Sequence, residues 1–168
     1  MKKFFLWCFL FVLVNALAAL RLQAQTAPVL DTLLAEENLR IVAPTLQNLI
    51  TLINLNQAGF EQVLLTYGYL PDTTEAKGTF KIESSKATYN IHKNKYEVEF
   101  CYPPMPASLN KLKADVKILY PKAKVSPADN GGEIYDFKGK PAAGQHVYML
   151  NIDPGKASVV NISLVILH

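Results

Sequence analysis

Near residue 77 the spacing of apolar residues changes from about 3.6 to 2, and this change constrains the fold more than any other feature of the sequence. Before it, three stretches read as helices. Leu30, Leu33, Leu34 and Ile41 form a helix-like stripe over 28–42, and Ala43-Pro44 breaks it. Thr45 is placed to cap a second helix carrying Leu46, Leu49, Ile50 and Ile53. A third carries Phe60, Val63, Leu64 and Tyr67 and ends near Gly68, with Pro71 blocking continuation.

After the change, three strands are expected over 79–102. Phe80 and Ile82 share a face, as do Ala87, Tyr89 and Ile91, and Tyr96, Val98, Phe100 and Tyr102. Two-residue turns at Ser84-Ser85 and Lys93-Asn94 would set Phe80 against Tyr89 and Ile91 against Tyr96. Every apolar residue then lands on one side of the sheet. Pro103, Pro104 and Pro106 end the meander. Ser108 can cap a helix with Leu109, Leu112, Val116 and Leu119, and Pro121 stops it. Strands return at 133–138, 146–153 and 158–167, with a loop at 139–144 and a turn at Pro154-Gly155. The last strand is apolar on both faces, which suits a central position. The expected fold is α+β: an antiparallel sheet of about six strands with helices on one face and an N-terminal helical segment. The order of elements suggests two helix-plus-strands halves. Val63, Tyr67 and Gly78 match Val116, Tyr120 and Gly131 at an offset of 53, as a duplication would.

Residues 1–24 read as a secretory signal peptide. Lys2 and Lys3 precede the apolar run 4–14, and Ala16, Ala18 and Ala19 follow Asn15. Cleavage is expected after Ala24, with Ala19 as the alternative. Residues 25–168 would then form one domain in a periplasmic or secreted protein, with no transmembrane segment once the leader is removed. Its parts are a helical segment 25–76, a meander 77–102, a helix 107–120 and a second strand set 131–168. Cys8 lies outside the position of a lipid-acceptor cysteine.

Losing Lys2, Lys3 and Arg21 takes the 17 basic residues to 14, equal to the 14 acidic ones. Arg40 is then the only arginine. A neutral, arginine-poor chain is not built to grip nucleic acid. The charge is uneven: residues 25–76 carry one base and six acids, and residues 77–140 carry twelve bases and seven acids. The leader also takes Trp7 and Cys8, leaving Cys101 as the only cysteine and no intramolecular disulfide.

The motifs of common catalytic chemistries are missing. His92, His146 and His168 are far apart in sequence, with no zinc spacing and no calcium loop. No serine sits in a nucleophile elbow, and Gly131-Gly132 precedes a strand rather than a helix. Glu97 and Glu99 share a strand face about 7 Å apart, which reads as a solvated charged strand. Cys101 is a candidate reactive thiol. With Lys93-Asn94 as the turn, His92 would lie about 20 Å from it, too far to act as its base.

No cofactor or metal is expected. The leading expectation is an exported, non-catalytic binding protein of the bacterial cell envelope whose partner is another envelope or secreted protein. An enzyme inhibitor, an immunity-like protein or an assembly accessory fits by analogy of architecture. Tyr67, Tyr69 and Tyr102, with Lys111, Lys113 and Lys117, form the candidate interaction surface, because tyrosine and exposed charge suit interfaces. The alternatives are a small-molecule or lipid carrier with a pocket between helices and sheet, and a small hydrolase using His146.

Overall fold

A computed structural model describes residues 28–137, 147–153 and 159–167. The leader, the 139–144 loop, His146, the Pro154-Gly155 turn and His168 lie outside the described residues.

In chain order the elements are β1 (Thr32–Leu34), a 3-10 turn (Glu36–Asn38), β2 (Arg40–Val42), α1 (Leu46–Asn54) and α2 (Gln57–Thr66). Four strands follow: β3 (Leu70–Pro71), β4 (Thr79–Glu83), β5 (Thr88–Lys93) and β6 (Glu97–Tyr102). Then come α3 (Pro106–Leu119), β7 (Lys124–Pro127), β8 (Glu133–Asp136), β9 (Val147–Asp153) and β10 (Val160–Leu167). Strands β3 to β10 form one antiparallel sheet in the order β3-β4-β5-β6-β10-β9-β8-β7, and β1 and β2 form a separate hairpin. The fold class is α+β, as expected. The main sheet has eight strands rather than about six, because the short outer strands β3 and β7 each contain a proline and carry little alternation. Pro71 and Pro127 can sit there because an edge strand has one side without a partner.

Two four-stranded meanders meet at the centre, where β6 pairs antiparallel with β10 from Glu97–Val165 to Tyr102–Val160. Each meander follows a helix, α2 for the first and α3 for the second. Tyr67 and Tyr120 cap those helices at their C-termini, and Gly78 and Gly131 both adopt positive φ (95° and 82°) shortly before β4 and β8. The two halves therefore share an order of elements, and the matched residues fall at corresponding places.

The helices cover one face of the sheet. Leu46, Leu49, Leu52 and Ile53 of α1, Phe60, Val63 and Leu64 of α2, and Leu112 and Val116 of α3 join one continuous core. The sheet contributes Phe80, Ile91, Val98, Phe100, Leu150, Ile162 and Leu164. Thr45 caps α1 as its sequence position suggests, with its hydroxyl accepting from Asn48 N–H (3.2 Å). Helix α3 starts at Pro106 instead of after Ser108, since a proline fits the first helical turn, where its missing N–H costs nothing.

Both sheet registers differ from the expected ones by an even number of residues. Phe80 opposes Ile91 and Ile91 opposes Phe100, because the turns are longer than two residues. Ser84 N–H bonds Ala87 C=O (2.9 Å) and Asn94 N–H bonds Glu97 C=O (3.0 Å). An even shift keeps each side chain on its face, so the inside–outside assignment holds while the cross-strand neighbours change.

The expected helix over 28–42 is instead the β1–β2 hairpin. Glu37 and Asn38 take positive φ (59° and 60°), which ends any helix. The Glu37 carboxylate is held by the backbone N–H (3.2 Å) and the hydroxyl of Ser85, at the β4–β5 turn. Leu30, Ile41 and Val42 reach the core, but Leu34, which a helical stripe would bury, is 67% exposed. Polar side chains from the main body hold the hairpin. Buried Asn48 accepts from Asp31 N–H (3.0 Å) and donates to Asp31 C=O (2.9 Å) and Ala43 C=O (2.8 Å). Tyr67 Oη accepts from Leu30 N–H (2.7 Å). Tyr69 Oη accepts from Val42 N–H (3.2 Å), Tyr102 Oη donates to Val42 C=O (2.9 Å), and the two hydroxyls are 2.7 Å apart.

Removing one hydroxyl from this buried network leaves an acceptor without a donor. Tyr102→Phe is expected to cost about 1–3 kcal/mol. Urea unfolding of the wild type, Y102F, Y69F and the double variant measures it. The double variant should lose less than the sum of the single losses.

Candidate functional site

The face opposite the helices follows from the strand registers. One row across it reads Lys81, Asn90, Cys101, Asn161 and Asp153. The next reads Thr79, His92, Glu99, Ser163, Asn151 and Ile134. A third carries Glu97, Val165, Met149 and Asp136. Strand alternation thus turns one sequence into an apolar inner face and a largely polar outer one. No helix among the described residues packs on this face.

The middle of the face is hollow. A cavity of about 550 Å³ is bounded by Glu75, Thr79, Asn90, His92, Glu97, Glu99, Cys101 and Asn161, with Val159 at its rim. Its chemistry is rich in acceptors. Among the described residues no lysine, arginine or histidine nitrogen lies within 4 Å of the carboxylate of Glu97 or Glu99. Partial burial, with Glu97 adding to it, holds the Glu99 carboxyl above the ordinary carboxylate range. The side-chain carbonyls of Asn90, in the lining, and of Asn151, on the same face outside it, are buried and meet no donor among the described residues. By contrast Lys81, the ammonium on this face in the first meander, is already engaged by Glu83 (2.9 Å) and Asp72 (3.7 Å).

His92 is nearer to Cys101 than the two-residue turn implies. His92 opposes Glu99 and Asn90 opposes Cys101, so His92 stands diagonally across from the thiol and lines the same cavity. This corrects the separation of about 20 Å, which came from pairing His92 with Lys95. Nearness does not make a nucleophile here. Burial and the neighbouring Glu99 carboxylate push the Cys101 thiol up to about 12, so it stays protonated at neutral pH. His92 Nδ1 is tied to Thr79 Oγ1 (3.0 Å), whose hydroxyl also donates to Ala76 C=O (2.8 Å).

The tyrosines expected at an exposed surface are internal. Tyr69 is 0% and Tyr102 1% exposed, and Tyr67 is half-buried with its hydroxyl on Leu30. A tyrosine whose hydroxyl meets a buried backbone group is a structural clamp, so these three belong to the inner face and its margin. Burial also pushes the Tyr69 hydroxyl up to about 12. The three lysines lie on α3, on the other side of the sheet. Lys113 bonds Glu133 (2.7 Å), Lys111 is 3.8 Å from Asp115, and Lys117 is exposed. Of the predicted site residues, only Cys101 reaches the open face. The alternation 88–90–92 and 97–99–101 in the sequence already placed the residues that the structure gathers there.

Comparison with models of protein families, with curated proteins and with solved structures finds no match. The chemistry of the face is therefore read from its own residues. No helix among the described residues is long and apolar enough to cross a membrane.

Two expectations test these electrostatics. Iodoacetamide at pH 8 should alkylate Cys101 of the folded protein at least about a hundredfold more slowly than an unperturbed cysteine, as followed by intact mass. The folded state also binds the Glu99 proton more tightly than the unfolded chain does. The associated stability is present at low pH and declines as pH rises through the carboxylate range. Glu99→Gln should therefore raise the urea midpoint at pH 7 and leave it unchanged at pH 3.

Proposed function

We propose that this chain is an exported, non-catalytic binding protein of the bacterial cell envelope. Its open sheet face would hold a cationic, donor-rich segment of a partner protein. The observation that carries the reading is the Glu97–Glu99 pair, two carboxylates in a hollow with no lysine, arginine or histidine nitrogen of the described residues within 4 Å. A lysine or arginine from a partner supplies what the pair lacks. Such complementarity gives specificity and speeds encounter more than it adds affinity.

The residues best placed for chemistry favour binding over catalysis. Cys101 keeps its proton, and His92 is held by Thr79. Export rests on the leader-like segment 1–24. A carrier whose pocket lies between the helices and the centre of the sheet has less support. Leu46, Leu49, Leu52, Phe100, Leu150 and Leu164 fill that central region and are fully buried.

A hexalysine peptide titrated into the ¹⁵N-labelled protein tests the reading. Amide signals of Asn90, Glu99, Cys101 and Asn161 should move in a saturable, salt-sensitive way, and a glycine–serine peptide should leave them in place. Glu97→Lys with Glu99→Lys should abolish the response while the circular dichroism spectrum is retained. Shifts confined to the helical side, or a response that survives the double charge reversal, would overturn the reading.

A further inference from the structure

Lys93 is the one lysine drawn deep into the described structure. It ends β5 on the helix-covered face and is only 5% exposed. Its ammonium donates to Ile53 C=O (2.8 Å), in the last turn of α1, and to no other described group. That carbonyl carries part of the negative end of the α1 dipole, which offsets some of the charge but does not balance it. No carboxylate among the described residues lies within 4 Å of the ammonium. A buried cation is costly without a counter-charge. In keeping with this, burial pulls the Lys93 ammonium below the ordinary lysine range.

Lys93 also lines a cavity of about 530 Å³ on the helix side near the β5–β6 turn. It adjoins the acidic hollow, since Asn94 in its lining donates to Glu97 in the lining of the hollow (3.3 Å). Lys77, Lys95 and Asn94 line it as well, together with Asn56 and Gln57 at the start of α2. Helix α2 is ten residues long, with Asn56 Oδ1 accepting Gly59 N–H (2.8 Å). The N–H groups of Gln57 and Ala58 have no partner within the helix, as at any helix start. Gly78 makes the arrangement possible: a Cβ there would collide with the carbonyl oxygen of Lys93, so only glycine lets the chain bearing Lys77 pass so close. No residue lining this cavity bears a carboxylate. Two carboxylates outside the lining are engaged by residues of it: Glu61 accepts from Gln57 Nε2 (2.8 Å) and Glu97 accepts from Asn94 Nδ2 (3.3 Å). Lys95 Nζ lies 4.9 Å from the Tyr96 ring centre.

We infer that this cavity is a binding site for a small phosphate-bearing molecule, whose phosphate sits among Lys93, Lys77 and the N-terminus of α2. Lysines act here as point charges and helix N–H groups as oriented donors, a combination suited to a compact dianion. The volume leaves room for an organic group beyond the phosphate. The site adjoins the acidic hollow through the Asn94–Glu97 bond and takes ligands of opposite charge.

Titration of the full chain with sodium phosphate, followed by ¹⁵N NMR, tests the inference against sodium chloride at matched ionic strength and against sodium acetate. Phosphate should move the amides of Gln57, Ala58 and Lys93 along a saturable curve in the low-millimolar range. Lys93→Met should weaken it at least tenfold. If that variant fails to fold, the exposed pair Lys77→Gln and Lys95→Gln provides the same test and should also weaken binding at least tenfold. Vesicles of phosphatidylcholine and phosphatidic acid distinguish the source of the phosphate. Co-sedimentation that phosphate competes away assigns a lipid headgroup, and its absence assigns a free molecule. The inference is overturned if chloride or acetate reproduces the shifts, or if the double lysine variant keeps the wild-type curve.

Discussion

The pairing of β6 with β10 is the seam on which the molecule depends. It joins two meanders that would each be a narrow ribbon with one apolar face. On the inner side the seam sets Phe100 beside Ile162 and Val98 beside Leu164, and helix α1 lies across both strands. On the outer side the same pairing sets Glu99 beside Ser163 and Cys101 beside Asn161, which makes the centre of the hollow. One ladder thus fixes the core and the candidate site together, because each strand residue faces one side or the other.

Faces were legible in the sequence, and neighbours were not. Alternation from Thr79 to Tyr102 placed Phe80, Tyr89, Ile91, Val98 and Phe100 inside and His92, Glu97, Glu99 and Cys101 outside, and the structure agrees. Two-residue turns at Ser84-Ser85 and Lys93-Asn94 gave the wrong partners, since turn length is set by local bonds such as Asn94 to Glu97 that alternation does not report. The 28–42 segment misled for a different reason. Its stripe has helical spacing, but the conformation is decided by distant groups: Ser85 on Glu37, and Asn48 and two tyrosines on the hairpin backbone. Tyr69 and Tyr102 looked like interface residues because tyrosine suits both roles, and only the fold shows a backbone group waiting for each hydroxyl.

The two candidate sites are electrostatic opposites. On the open face Glu99 has its charge disfavoured by burial and by Glu97. On the helix side Lys93 has its charge disfavoured by burial alone. They sit on neighbouring strands, β5 and β6, with side chains directed to opposite faces of the sheet. The core between them keeps the charges from neutralising one another within the fold. The sequence shows this separation only as an unevenness between an acidic front segment and a lysine-rich middle one.

The outer strands set the manner in which this protein can meet others. β3 has two residues and β7 four, and each contains a proline in its pairing with the next strand. A further strand laid against either margin would find too few backbone donors in line to continue the ladder. Growth of the sheet by a second copy, or by an extended peptide borrowed from another chain, is therefore discouraged at both ends. What is left for recognition is the pattern of side chains on a surface, and a pattern can be matched only by a partner whose own residues are specified one by one.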